Sequence, residues 1–120
     1  HIFGQIGAQV CLGAMYAVGE GVVKDPAEAL KWYRKAADLG DAKGQYLVGE
    51  AYENGVGVLI DKNEALVWYN LAAISGEDFY VKRRNRLERQ LGTEPAQVAQ
   101  QRSKELLKQI EQNMAAAAGR

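Results

Sequence analysis

Proline, cysteine and histidine are almost missing from this chain. Two prolines in 120 residues leave long stretches without a helix breaker, which favours helices throughout. The single cysteine, Cys11, excludes an intrachain disulfide framework and a metal site built from several thiolates. His1 is the one histidine, so serine, cysteine and metal chemistries that need an internal imidazole have none. No enzyme activity, catalytic residue, cofactor or metal site is therefore expected.

Charge of one sign is missing as well. Fifteen basic and fifteen acidic side chains cancel, so no global field draws the protein to nucleic acid or an anionic membrane. No apolar run reaches the roughly 18 residues of a membrane span, and the start lacks the basic-then-apolar pattern of a signal peptide. The expectation is a soluble protein that neither binds nucleic acid nor inserts in a membrane. A bacterial cytoplasm and a periplasm both fit. With 48% apolar and 25% charged residues, 1–120 reads as a single domain with one modest core.

What is present is a repeat. The stretch 21-GVVKDPAEALKWYRKAADLG-40 returns as 57-GVLIDKNEALVWYNLAAISG-76. At this spacing Gly13 pairs with Gly49, Tyr16 with Tyr52, Gly19 with Gly55, Gly21 with Gly57, Asp25 with Asp61, Trp32 with Trp68 and Tyr33 with Tyr69. So many identities at one offset make each copy a structural unit that stacks on its neighbour.

Each unit reads as two helices, over about 5–18 and 26–39, then about 42–54 and 62–75. Asp25 is placed to cap a helix start, with Pro26 at the first helical position and Glu28 set to complete a capping box; Asp61 and Glu64 repeat the spacing. Gly13 and Gly49 stand inside helices, where glycine costs about 1 kcal/mol relative to alanine, so close approach of a neighbouring helix is expected there. Trp32, Tyr33, Trp68 and Tyr69 lie on stripes shared with alanines and are expected to pack inward. Gly40 and Gly76 suit the left-handed position that ends a helix.

The segments LGAMYAVGEGVVKDPAEALKWYRKAADLG and VGEAYENGVGVLIDKNEALVWYNLAAISG resemble Sel-1-like repeats, the roughly 36-residue relatives of the tetratricopeptide repeat. The resemblance implies an all-α, right-handed α/α superhelix. Repeat 1 is placed at about 4–40 and repeat 2 at 41–76, followed by a degenerate unit and capping helix over 77–113 and a frayed tail over 114–120. The last helix is expected to be amphipathic from about 94 to 113, with Thr93 as its cap and Val98, Leu106 and Ile110 on one face. Phe3-Gly4-Gln5 align with Leu39-Gly40-Asp41, the close of a second helix, so the chain is either cut from a longer array or opens with a degenerate unit.

Several residue groups raise more specific questions. The loops Gly19-x-Gly21 and Gly55-x-Gly57 follow helices rather than strands, and an aspartate occupies the amides a phosphate would need, so they read as turns. Lys82, Arg83, Arg84, Arg86 and Arg89 form one basic cluster, read as a solvated face. Cys11, between Val10 and Leu12, reads as a small packing residue.

By the resemblance, the first helices line the concave side, with Val10, Ala14, Ala17 and Val18 from the first unit and Lys43, Tyr46, Glu50, Glu53 and Asn54 from the second. One end of that groove is then apolar and the other largely acidic. The implied function is a non-enzymatic adaptor holding a peptide or partner protein there. The double change Glu50→Lys with Glu53→Lys is then expected to abolish partner capture and spare helicity. Two alternatives come with the resemblance. One is the ligand or cell-wall recognition of cysteine-rich relatives, whose paired cysteines are missing here. The other is a structural fragment that self-associates through its open N-terminal repeat edge.

Overall fold

Asp25 and Asp61 both sit in extended backbone and accept a hydrogen bond from the amide three residues on, Glu28 at 3.1 Å and Glu64 at 3.0 Å. These caps fix where two of the six helices begin. In the computed structural model, which describes residues 2–119, the helices are α1 (Ile2–Val18), α2 (Pro26–Asp38), α3 (Ala42–Asn54), α4 (Lys62–Ala73), α5 (Asp78–Leu91) and α6 (Thr93–Ala118). His1 lies outside the described residues. Helices α1 to α5 each pack on the next, and α6 packs on α4 and α5, which makes an all-helical repeat solenoid.

The capping box forms only by half. Instead of receiving the Glu28 carboxylate, the Asp25 amide donates to the Tyr16 carbonyl at 2.9 Å, and Asp61 does the same to Tyr52. The turn has already satisfied the donor that the glutamate would have met. Glu28 and Glu64 instead pair with Lys31 and Arg102. Gly19 and Gly21, with φ of 78° each, let the chain reverse within this closed loop.

Gly49 shows why glycine stands inside a helix. A Cβ there would lie 2.7 Å from the Tyr69 ring, and at Gly13 it would lie 2.5 Å from the Tyr33 ring. Each tyrosine thus presses directly on the backbone of the preceding helix. The second copy is sealed more tightly than the first: Trp68 and Tyr69 are buried, whereas Trp32 and Tyr33 are only half-buried. Trp68 has Ile110 of α6 and Ala37, Val48 and Leu71 around it, a cover that Trp32 does not share.

The C-terminal end departs most from expectation. Helix α6 runs on to Ala118, through the alanines expected to fray. Thr93 is its first residue rather than its cap, because Gly92 alone separates it from α5 and leaves no room for a capping turn. Its buried face is Ala99, Ser103 and Ile110 with Leu106 beside them, while Val98 is 58% exposed. The Ser103 hydroxyl lies 2.7 Å from the Ala99 carbonyl of its own helix and 3.1 Å from the Val67 carbonyl of α4, and Ala99 packs with Leu66 and Val67, so this face of α6 is the one turned to α4. Further on, Asn113 donates to the Asp38 carbonyl at 3.1 Å, so α6 reaches back to the end of α2. Cys11 is exposed, on a side of α1 that no helix covers, which corrects the packing role expected for it.

Candidate functional site

The residues expected on the concave side separate into two junctions, one filled and one open. Around the second, the Tyr69 hydroxyl donates to Glu53 and the Tyr46 hydroxyl donates to Glu50, each at 2.6 Å. Arg83 from α5 donates to the Tyr46 oxygen at 3.1 Å and lies 3.7 Å from Glu50 and 3.6 Å from Glu53. Its guanidinium carbon sits 5.4 Å from the centre of the Tyr46 ring and 5.8 Å from those of Tyr69 and Phe79, within range of a cation–π attraction. Tyr46 in turn stacks on Tyr69 at 5.9 Å and meets the Phe79 edge at 5.2 Å.

The electrostatics follow from this crowding. Burial, and then the hydrogen bond to Glu50, push the Tyr46 phenol up to about 12. Tyr69 is raised further by burial and by Glu53. Both therefore stay neutral donors at ordinary pH, and the carboxylates they hold are matched by Arg83 and by Arg86, 3.8 Å from Glu53.

The first junction has the same backbone and different side chains. At the repeat offset Ala17 stands where Glu53 stands, Val10 where Tyr46 stands and Leu47 where Arg83 stands. A carboxylate, a phenol and a guanidinium are replaced by a methyl and two branched aliphatics. A cavity of about 300 Å³ results, lined by Ala17, Lys24, Pro26, Ala29, Leu30, Tyr33, Leu47, Glu50, Ala51, Asn54 and Val56. Tyr33 has no Glu53 equivalent; burial and then the nearby Glu50 charge raise its phenol.

Of the nine concave candidates, Ala17, Glu50 and Asn54 meet at this cavity. Val10, Ala14, Val18 and Lys43 lie outside it, with Ala14, Val18 and Lys43 exposed. Tyr46 and Glu53 belong to the filled junction, where the Glu53 side chain is only 11% exposed. The carboxylates of that end are thus already matched by Arg83 and Arg86, which corrects the expectation of a largely acidic groove end. Reversing both charges would break an internal network, so that change no longer isolates binding.

The remaining lining residues, Leu47 and Val56 among them, lie outside the set that the sequence points to. Leu47 has one signal in the sequence: it is the position at which the repeat offset reaches Arg83 of α5. The basic cluster is likewise not one solvated face, since Arg83 is largely covered while Lys82 stays exposed, paired with Asp78 at 2.8 Å. Asp41 caps α3 by accepting from the Gly44 amide at 2.7 Å, and Asp38 holds Arg34 at 3.1 Å.

Comparison with known proteins agrees with this architecture. A family model described as Sel1 repeat matches residues 7–41 and 42–77. Among solved structures, a Sel1 repeat protein from Oxalobacter formigenes superposes with a TM-score of 0.66 at 36% identity, over 68% of this chain and 34% of that one. A protective antigen present in uropathogenic Escherichia coli strains, displaying an SLR fold, superposes with a TM-score of 0.81 at 31% identity, over 93% of this chain and 24% of that one. The chain therefore spans about a third and a quarter of these two proteins. A comparison with curated proteins finds no match. Among the described residues no helix is long and apolar enough to cross a membrane.

Proposed function

The chain belongs to the Sel1 repeat family, commonly protein-interaction scaffolds, and on that premise we propose that it is a non-enzymatic adaptor seating a peptide or partner protein at the junction of its first two repeats. The observation that carries this reading is the contrast between the junctions. The fold has a built-in way of filling this space, with an arginine, two tyrosines and two carboxylates, and the first junction replaces it with Ala17, Val10 and Leu47.

The chemistry of the cavity suits a peptide. Its volume of about 300 Å³ stands at the small end of ligand pockets, which run from about 300 to 1,000 Å³, and matches one or two side chains. Ala17, Leu30, Leu47, Ala51 and Val56 offer apolar contact, while the Tyr33 hydroxyl, Glu50 and Asn54 offer hydrogen bonds that fix orientation. Val18 and Lys43, exposed on the same helices, extend the surface beyond the pocket.

Site-specific photocrosslinking tests the assignment. A photoreactive benzoylphenylalanine replacing Leu47 should crosslink a discrete partner from cell extract, whereas the same group replacing Lys82 should not. Crosslinks from Lys82 with none from Leu47 would move the seat elsewhere.

A further inference from the structure

The basic run of α5 divides when the chain folds. Lys82, Arg83 and Arg86 turn to carboxylates on one side, at Asp78, Glu50 and Glu53. Arg84 and Arg89 lie elsewhere: with Lys104 of α6 they line a cavity of about 850 Å³ among α4, α5 and α6. None of these three makes an ion pair among the described residues. Arg84 donates only to the Asn85 side chain, at 3.1 and 2.9 Å.

Three cations thus share a concave, partly apolar space with a single carboxylate, Glu88. Low-dielectric walls focus such a field and raise the attraction for anions above that of a flat surface. The walls include Ile74, 62% exposed at the end of α4, and Leu107 of α6. A bare inorganic anion would leave this apolar surface uncovered and most of the volume unused.

We propose that this cavity is a docking site for an acidic peptide segment of a partner protein. Its Asp or Glu side chains meet Arg84, Arg89 and Lys104, and an apolar side chain covers Ile74 and Leu107. Arginine presents two parallel donors to a carboxylate, which gives the contact direction as well as charge. A nucleic acid fits less well, because no aromatic side chain lines the cavity to stack a base and Glu88 repels a continuous polyanion. This seat shares no residue with the cavity at the first junction, so one chain has room for two contacts.

Selection of random dodecapeptides displayed on phage, with the whole chain as bait in low salt, tests the proposal without presupposing a sequence. Recovered peptides, made synthetically and labelled, are then titrated by fluorescence anisotropy. An acidic class carrying an apolar residue is expected. Its affinity should fall about 100-fold in Arg84→Glu with Lys104→Glu, about tenfold for each charge-assisted hydrogen bond removed, and should weaken with added salt. Ala17→Glu with Leu47→Arg, at the other cavity, should leave it unchanged. Circular dichroism checks that each variant folds, and Arg89→Gln with Lys104→Gln replaces the charge reversal if that one does not. Recovery of no acidic class overturns the proposal, as does an acidic class that binds the charge-reversed variant normally. A labelled single-stranded oligonucleotide binding this cavity more tightly than the acidic peptides would also overturn it.

Discussion

The Tyr69 hydroxyl lies 2.6 Å from the Glu53 carboxylate, and this contact closes the second repeat junction. In the first, Tyr33 occupies the same place and Ala17 offers it nothing to bond. That carboxylate, with the Tyr46 phenol and the Arg83 guanidinium that join it, is present at one junction and missing from the other, and separates a structural joint from an open cavity.

Removing that carboxylate should destabilise the fold. Glu53→Ala leaves the buried Tyr69 hydroxyl without its acceptor and Arg83 with one fewer partner, at a cost of about 1–3 kcal/mol. Glu50→Ala should cost less, because the Glu50 side chain is 38% exposed and water can replace it. Urea unfolding of the two variants measures the order.

Alkaline titration should find late tyrosines. Tyr46 is raised from 10.0 to about 12, so the stability held by its neutral phenol is fully present below pH 10 and is lost as pH rises through 12. Tyr46→Phe should remove one late step from the ultraviolet tyrosinate titration. Glu50→Gln should move that step earlier while leaving it above 10, since burial is the larger cause.

The two helical glycines should answer alanine differently. At Gly49 the added Cβ meets the buried Tyr69 ring, and overpacking of about 1–3 kcal/mol outweighs the gain of about 1 kcal/mol in helix propensity. At Gly13 the Tyr33 ring borders a cavity and has room to turn, so Gly13→Ala should be the milder change. Thermal melts of both variants decide it, and equal losses would count against an open first junction.

Helix α6 should matter to both repeats. Ile110 is buried against Ala37, Val48, Trp68 and Leu71, so Ile110→Ala should cost about 2–5 kcal/mol. Val98→Ala, on the exposed side of the same helix, should be nearly neutral. Denaturant midpoints provide the comparison.

The repeat, its helices and its turns were legible in the sequence because their signals are local and occur twice. Asp25 and Asp61 mark helix starts, and Gly19, Gly21, Gly55 and Gly57 mark reversals, without reference to anything distant. The site was legible only as far as the repeats themselves. Arg83 lies past the two matched repeats, in a segment without the glycine and tyrosine signature, so nothing nearby distinguished it from Lys82 or Arg84 as the residue turned toward Glu50 and Glu53. The register of α6 was equally hidden, because Ala99 rather than Val98 is buried by packing on Leu66 and Val67, more than thirty positions away in α4. A half-apolar helix offers several faces, and its distant partner selects one.

Partner capture by the variant Ala17→Glu with Leu47→Arg tests the central claim most directly. These changes place at the first junction the acid and the arginine that fill the second. The predicted result is a folded protein whose melting temperature is kept or raised and whose bound partner is lost, because the cavity is occupied from within. A folded variant that captures its partner as well as the parent chain would contradict the claim.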